Sequence, residues 1–138
     1  MALIRITSHG VGHQDAPQAA STTVVVIDTT GLRNPPDDLA VRAVLTQRTG
    51  LDPDVAAYVM DTPGARDLVL RYRREIENLA ATCNRVDVFV HGYGGRHRSV
   101  AIAERLGTEL SVLDHYVQID HRHISRPVLP SRRAPMGR

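Results

Sequence analysis

Val86-Asp-Val-Phe-Val-His-Gly-Tyr-Gly-Gly-Arg-His-Arg-Ser99 decides how this chain is read. Four of its first five residues are β-branched or aromatic, a short run that predicts a strand over Arg85 to Val90. Gly92, Gly94 and Gly95 break the run, and an apolar helical pattern follows from about His97 to Glu109. The stretch is therefore a strand, a glycine loop and a helix in immediate succession. A helix N-terminus leaves backbone N–H groups without intrahelical partners and carries partial positive charge, so anions settle there. The glycines let backbone approach a ligand with no Cβ in the way, and Arg96, His97, Arg98 and Ser99 add donors around the same point. The loop is expected to hold a phosphate or similar anion.

Outward from this unit, strands and helices alternate. Ala2 to Thr7 reads as a strand and Ser8-His-Gly-Val-Gly-His13 as a second glycine-rich loop. Thr22 to Ile27 reads as a strand whose continuous Val24-Val-Val-Ile27 run predicts burial on both faces, with Asp28 at its carboxyl end. Thr29 to Pro36 is turn-rich, and a helix capped by Asp37 or Asp38 is expected through about Gln47, ended by Gly50. Asp52 and Pro53 open a short helix to about Met60, and Thr62-Pro-Gly64 breaks the chain. Leu68, Tyr72, Ile76, Leu79 and Cys83 then mark the core stripe of a helix over Ala65 to Thr82, with Arg71/Glu75 and Arg73/Glu77 on a solvated outer face. A last strand, Tyr116 to Asp120, leads into His121-Arg-His123. The expected fold is a single-domain α/β protein with a mostly parallel open sheet and helices on both faces, its ligands lying beyond the carboxyl ends of the strands.

Composition narrows the function classes. A chain of 138 residues holds one compact domain, and 42% hydrophobic with 23% charged residues is ordinary globular usage. With no Trp, one Phe and four Tyr, the aromatic platforms that stack bases in many single-strand binders are nearly absent. All 17 basic residues are Arg, whose planar forks suit phosphate and carboxylate, but a net charge of +2 makes any basic footprint local. The single Cys83 has no disulfide partner, and no signal peptide or long apolar run is visible, so a cytoplasmic protein without membrane contact is expected. Cys83 is expected to pack in the core rather than react.

The loop spacing fails both the Gly-x4-Gly-Lys-Ser/Thr nucleotide loop and the Gly-x-Gly-x2-Gly dinucleotide pattern. It is a near miss for the Cys-x5-Arg loop of tyrosine phosphatases: Arg98 is present, but the nucleophile's position is Gly92. No catalytic residue is therefore assigned, and the chain is read as a binding protein rather than an enzyme. His115, His121 and His123 lack an accompanying carboxylate or thiolate pattern, so neither metal nor cofactor is expected.

The segment Gly94-Gly-Arg-His-Arg-Ser-Val-Ala-Ile-Ala-Glu104 resembles the Gly-Gly-x-His-Arg-Ser-Val-x-Ile-Ala-Glu segment of the C-terminal domain of the RapZ (RNase adapter protein) family. The resemblance extends to Ser8-x-Gly10, Arg33-Asn-Pro35, Thr49-Gly-Leu-Asp52, Val117-Gln118 and His121-Arg122. It implies a domain over residues 1–125, standing without the family's P-loop kinase-like domain, followed by a basic, flexible tail at 126–138. In that family the domain binds an amino-sugar phosphate, glucosamine-6-phosphate, and contacts a small regulatory RNA. The resemblance supports Asp28, Gly94, Gly95, Arg96, His97, Arg98, Ser99, His121 and Arg122 as ligand-binding residues. This sequence departs from the family at Gly92 (a loop Cys there), Thr30 (Arg), Pro36 (His) and Gly12 (Lys), which keeps the anion cradle and changes the residues around it.

The leading expectation is a non-catalytic module that binds a phosphorylated metabolite, an amino-sugar phosphate or nucleotide sugar, and regulates a partner protein or RNA. Arg98, the loop amides and Ser99 would hold the phosphate, Asp28 would accept from a ligand hydroxyl or amine, and His97 would orient the loop. One alternative is an RNA-binding adapter using the loop together with Arg126, Arg132 and Arg133 in the tail. Another is a phosphoryl-transfer enzyme using His97 or His91. Self-association into a homo-oligomer is left open.

Overall fold

The computed structural model describes residues 2–32, 48–127 and 129. Among the described residues four strands, β1 (Leu3–Gly10), β2 (Val24–Asp28), β3 (Arg85–Gly92) and β4 (Tyr116–His121), form one sheet in the order β2-β3-β1-β4. Every neighbouring pair is parallel. The described helices are α1 (Pro53–Met60), α2 (Ala65–Ala80) and α3 (Arg98–Ser111). The helix expected from Asp37 or Asp38 to Gln47 lies outside the described residues. The fold class is the one anticipated, a single-domain α/β protein, and the sheet is wholly parallel.

Local chemistry accounts for the elements. Asp52 caps α1 by accepting from the Asp54 N–H at 2.9 Å, with Pro53 in the first turn, where a missing N–H costs nothing. Gly64 precedes α2 at φ 90°, a left-handed conformation that favours glycine. α2 buries Ala65, Val69, Ile76 and Ala80, with Leu68, Tyr72 and Leu79 partly buried beside them. Its outer face is not purely solvated: Arg73 pairs with Glu77 at 3.2 Å and with Glu109 of α3 at 3.1 Å, tying two helices together. Arg71 lies over the Tyr72 ring at 5.1 Å. Cys83 sits beyond the helix end, only partly buried, where its Sγ accepts from Thr23 Oγ1 at 3.5 Å.

The core lies between the helices and one face of the sheet, where Val25, Val88, Ile6 and Ile119 stand in one lateral row. The opposite face carries Val24, Val26, Phe89, Arg5 and Gln118, and Val26 is 55% exposed. The two-sided burial expected of β2 is therefore corrected to one-sided burial. β2 is an edge strand, and the described helices pack against one another on the other face. Helices on both faces are not seen among the described residues. The open face is crossed instead by the segment from 11 to 23, which Ala20 N–H and Ser21 Oγ fasten to the Asp87 carboxylate at 3.2 and 2.7 Å.

This arrangement follows from connection geometry. β1 to β2 runs one way along the sheet, and β2 to β3 and β3 to β4 run the other way. Parallel crossovers share one hand, so the first connection must take the face opposite the helices. The chains leaving β1 and β3 must then cross at the carboxyl edge of the sheet. They do so in contact, with Val11 N–H donating to the Gly92 carbonyl at 2.9 Å and Gly12 N–H to that of Tyr93 at 2.8 Å. A Cβ on Gly10 would strike the backbone of Tyr93 and Gly94, and one on Gly95, whose φ is 77°, would lie 2.7 Å from Gly10 N. The sequence reading placed Ser8, His9 and Gly10 in a loop; they belong to β1, because β3 offers a continuing parallel ladder up to Gly92.

Candidate functional site

The glycine loop leaves β3 at Gly92 and enters α3 at Arg98, at the carboxyl edge of a parallel sheet. α3 begins without a side-chain cap, so its first N–H groups retain the polarity that attracts anions. Ser99, in that first turn, is fully buried, and its Oγ has no hydrogen-bond partner. A buried hydroxyl left unpaired costs roughly 1–3 kcal/mol, so such atoms call for an explanation. Oγ of Ser99 faces the bare Cα of Gly92: a Cβ there would lie 3.7 Å from it and 3.3 Å from the hydroxyl of Thr29. Thr29, fully buried just beyond β2, donates its hydroxyl to the His91 carbonyl at 2.8 Å. Gly94 is open, with nothing within 4 Å of where its Cβ would be.

Three residues expected to present donors to a ligand hold neighbouring loops. Arg98 is 8% exposed and its Nη1 donates to the carbonyls of Thr30 at 2.9 Å and Leu32 at 3.0 Å. Arg96 Nη1 donates to the carbonyls of Ile124 at 3.0 Å and Arg126 at 2.7 Å. His97 Nε2 lies 2.8 Å from the Arg48 carbonyl, and Gly50 N–H donates to the Arg96 carbonyl at 2.7 Å. Successive residues thus pin the chain after β2, the chain before α1 and the chain after β4. The loop is a hub whose shape is fixed by its own side chains.

Asp28 stands at the end of β2 as expected, with Oδ1 accepting from Thr30 Oγ1 at 2.6 Å and Thr30 N–H at 2.8 Å. Those hydrogen bonds, helped by His91 and Arg98, hold its pKa below the ordinary carboxylate value. Asp28 is therefore ionised at neutral pH and suits a ligand hydroxyl or amine rather than a phosphate oxygen. His121 lies between Ser8 Oγ at 2.6 Å and Glu104 at 2.8 Å. Arg122 Nε donates to the Asp15 carbonyl at 2.6 Å. Arg126 is bound to the Asp15 carboxylate at 2.6 Å, so it braces the fold; Arg132 and Arg133 lie outside the described residues.

One feature escaped the sequence reading. Across the open face, register aligns Asp28 with His91 and His91 with His9. His9 lies 5.7 Å from His91 and 6.4 Å from His123, ring to ring, and His13 is 4.3 Å from His123. Among the described residues no group of three or more His, Cys, Asp or Glu is arranged to hold a metal ion. No described helix is long and apolar enough to cross a membrane.

A model of the RapZ C-terminal domain matches residues 2–125 of the chain. The chain belongs to that family. A relative from Thermus thermophilus is 39% identical over 130 residues, which cover 90% of this chain and 44% of the relative. One from Sphingopyxis alaskensis is 36% identical over 105 residues, 72% of this chain and 32% of the relative. One from Frankia casuarinae is 40% identical over 83 residues, 56% of this chain and 29% of the relative. All three carry the name nucleotide-binding protein. The chain spans less than half the length of these relatives.

Proposed function

We propose that this RapZ C-terminal domain is a non-catalytic binding module for a phosphorylated metabolite, with its phosphate seated at the start of α3. The observation that carries the reading is the buried, unpaired Ser99 Oγ in an uncapped first helical turn, facing Thr29 and the bare Cα of Gly92. A phosphate oxygen accepts from Ser99 Oγ and from the helix N–H groups, which removes the cost of the unpaired hydroxyl on binding. The ionised Asp28 takes a hydroxyl or amine of the same ligand, which favours amino-sugar phosphates and nucleotides or nucleotide sugars. The relatives' name agrees with the nucleotide branch of that class. Arg96, His97 and Arg98 act by holding the loop, and their hold on three neighbouring segments gives a bound anion a route to a partner protein.

Calorimetric titration with inorganic phosphate, a hexosamine phosphate, a nucleoside monophosphate and a nucleotide sugar tests the reading. Gly94→Asp is the matching variant, because its Cβ enters open space and adds a negative charge beside the site. Saturable binding by wild type that Gly94→Asp weakens at least tenfold supports the module. No binding of any of the four, or binding that the variant leaves intact, refutes it.

A further inference from the structure

We propose that the imidazoles of His9, His13, His91 and His123 form an acid-released latch that fastens the glycine loop and the segment after β4 to the end of β1. His123 is fully buried, and its two nitrogens have fixed roles: Nδ1 accepts from Gly10 N–H at 2.9 Å, and Nε2 donates to Asp15 Oδ1 at 3.0 Å. Only the neutral ring satisfies both. A proton on Nδ1 sets donor against donor and breaks the bond to Gly10, at the point where the loop crosses β1. His13 closes the other side, with Nε2 3.2 Å from the Gly94 carbonyl and its ring 4.3 Å from His123.

The surroundings oppose protonation. His9 is 8% exposed, its Nδ1 has no hydrogen-bond partner, and burial together with His91, His123 and Arg122 holds its pKa down at about 4. Burial also lowers His123, against the opposing pull of Asp15, with His13 and Arg126 adding to the fall. The carboxylates facing the cluster are committed elsewhere. Asp15, after β1, is shared with Arg126 and Arg122, while Asp28, on β2, lies 3.3 Å from His91 and is held by Thr30. Burial is the largest cause of the lowering in both rings, and neighbouring positive groups add to it. A proton on His9 or His123 meets that opposition only while the loop is closed, so acid favours the open arrangement in which the ring is solvated. The latch needs no ligand, so its failure and that of the phosphate reading are separable.

The test is amide hydrogen exchange by NMR on the labelled full chain without ligand between pH 7.5 and 5, corrected for intrinsic rates. The expected result is a loss of protection of tenfold or more at Gly10 and Gly12, with core amides such as Val88 and Ile102 unchanged. His123→Gln, which keeps a neutral acceptor, is expected to abolish the pH dependence. Should that variant fail to fold, His9→Phe, placed beside Phe89, is expected to reduce it. Protection at Gly10 that is constant with pH, or that falls only in step with the core, overturns the latch.

Discussion

Arg98 reaches from the first residue of α3 to the carbonyl of Thr30, placing Nη1 2.9 Å from an oxygen just beyond the end of β2. The same nitrogen serves Leu32, so one nearly buried guanidinium satisfies two carbonyls of a segment with no regular structure of its own. The residue that looks most like a phosphate clamp in the sequence also ties the chain after β2 to the start of α3.

Arg98→Ala is therefore expected to destabilise the protein by about 2–3 kcal/mol, the range for buried hydrogen bonds to a charged donor. Urea denaturation measures it, and a cost below about 0.5 kcal/mol contradicts the tie. Loss of ligand binding in this variant reports on loop order as much as on a direct contact, so other substitutions must locate the phosphate.

The two adjacent loop glycines are expected to behave oppositely. Gly95→Ala forces a Cβ at φ 77° to within 2.7 Å of Gly10 N, and a cost of at least ~2 kcal/mol is expected from strain and clash together. Gly94→Ala projects into open space and is expected to fall within about 0.5 kcal/mol of wild type. Paired denaturation curves decide this, and equal effects would refute the crossing geometry.

Stability is expected to fall with acid in a window set by His9. Its folded pKa is about 4 against an ordinary 6.5, so between those values the unfolded chain binds the proton and the folded chain does not. The contribution is complete above about pH 6.5 and is lost progressively as the pH drops toward 4. His9→Phe removes this titration, and its Tm is expected to vary less between pH 7 and 5 than that of wild type. A wild-type-like slope in the variant contradicts the assignment.

The strand, glycine loop and helix were legible because the glycines, the apolar run and the helical period lie side by side in the chain. The end of β1 was misread because Ser8-His-Gly10 has turn-type composition, and only its pairing with Val90, His91 and Gly92 makes it a strand. The Val24 to Ile27 run misled in the other direction, since continuous apolar residues do not reveal that a strand lies at the sheet edge. The ties made by Arg96, His97 and Arg98 were not legible because the carbonyls they satisfy come from distant segments. The imidazole cluster was illegible for the same reason: register and the crossing of two loops bring its members together.

If Ser99 Oγ is held unpaired for an anion, as proposed, Ser99→Ala separates two readouts on one variant. Removing an unsatisfied buried hydroxyl leaves the stability of the free protein unchanged or raises it by about 1 kcal/mol, while the loss of one hydrogen bond to a phosphate oxygen weakens binding roughly tenfold. The expected result is a Tm that holds or rises while the calorimetric affinity for the best phosphorylated ligand falls by about that factor. Unchanged affinity, or a lowered Tm with unchanged affinity, would contradict it and make Ser99 a packing residue.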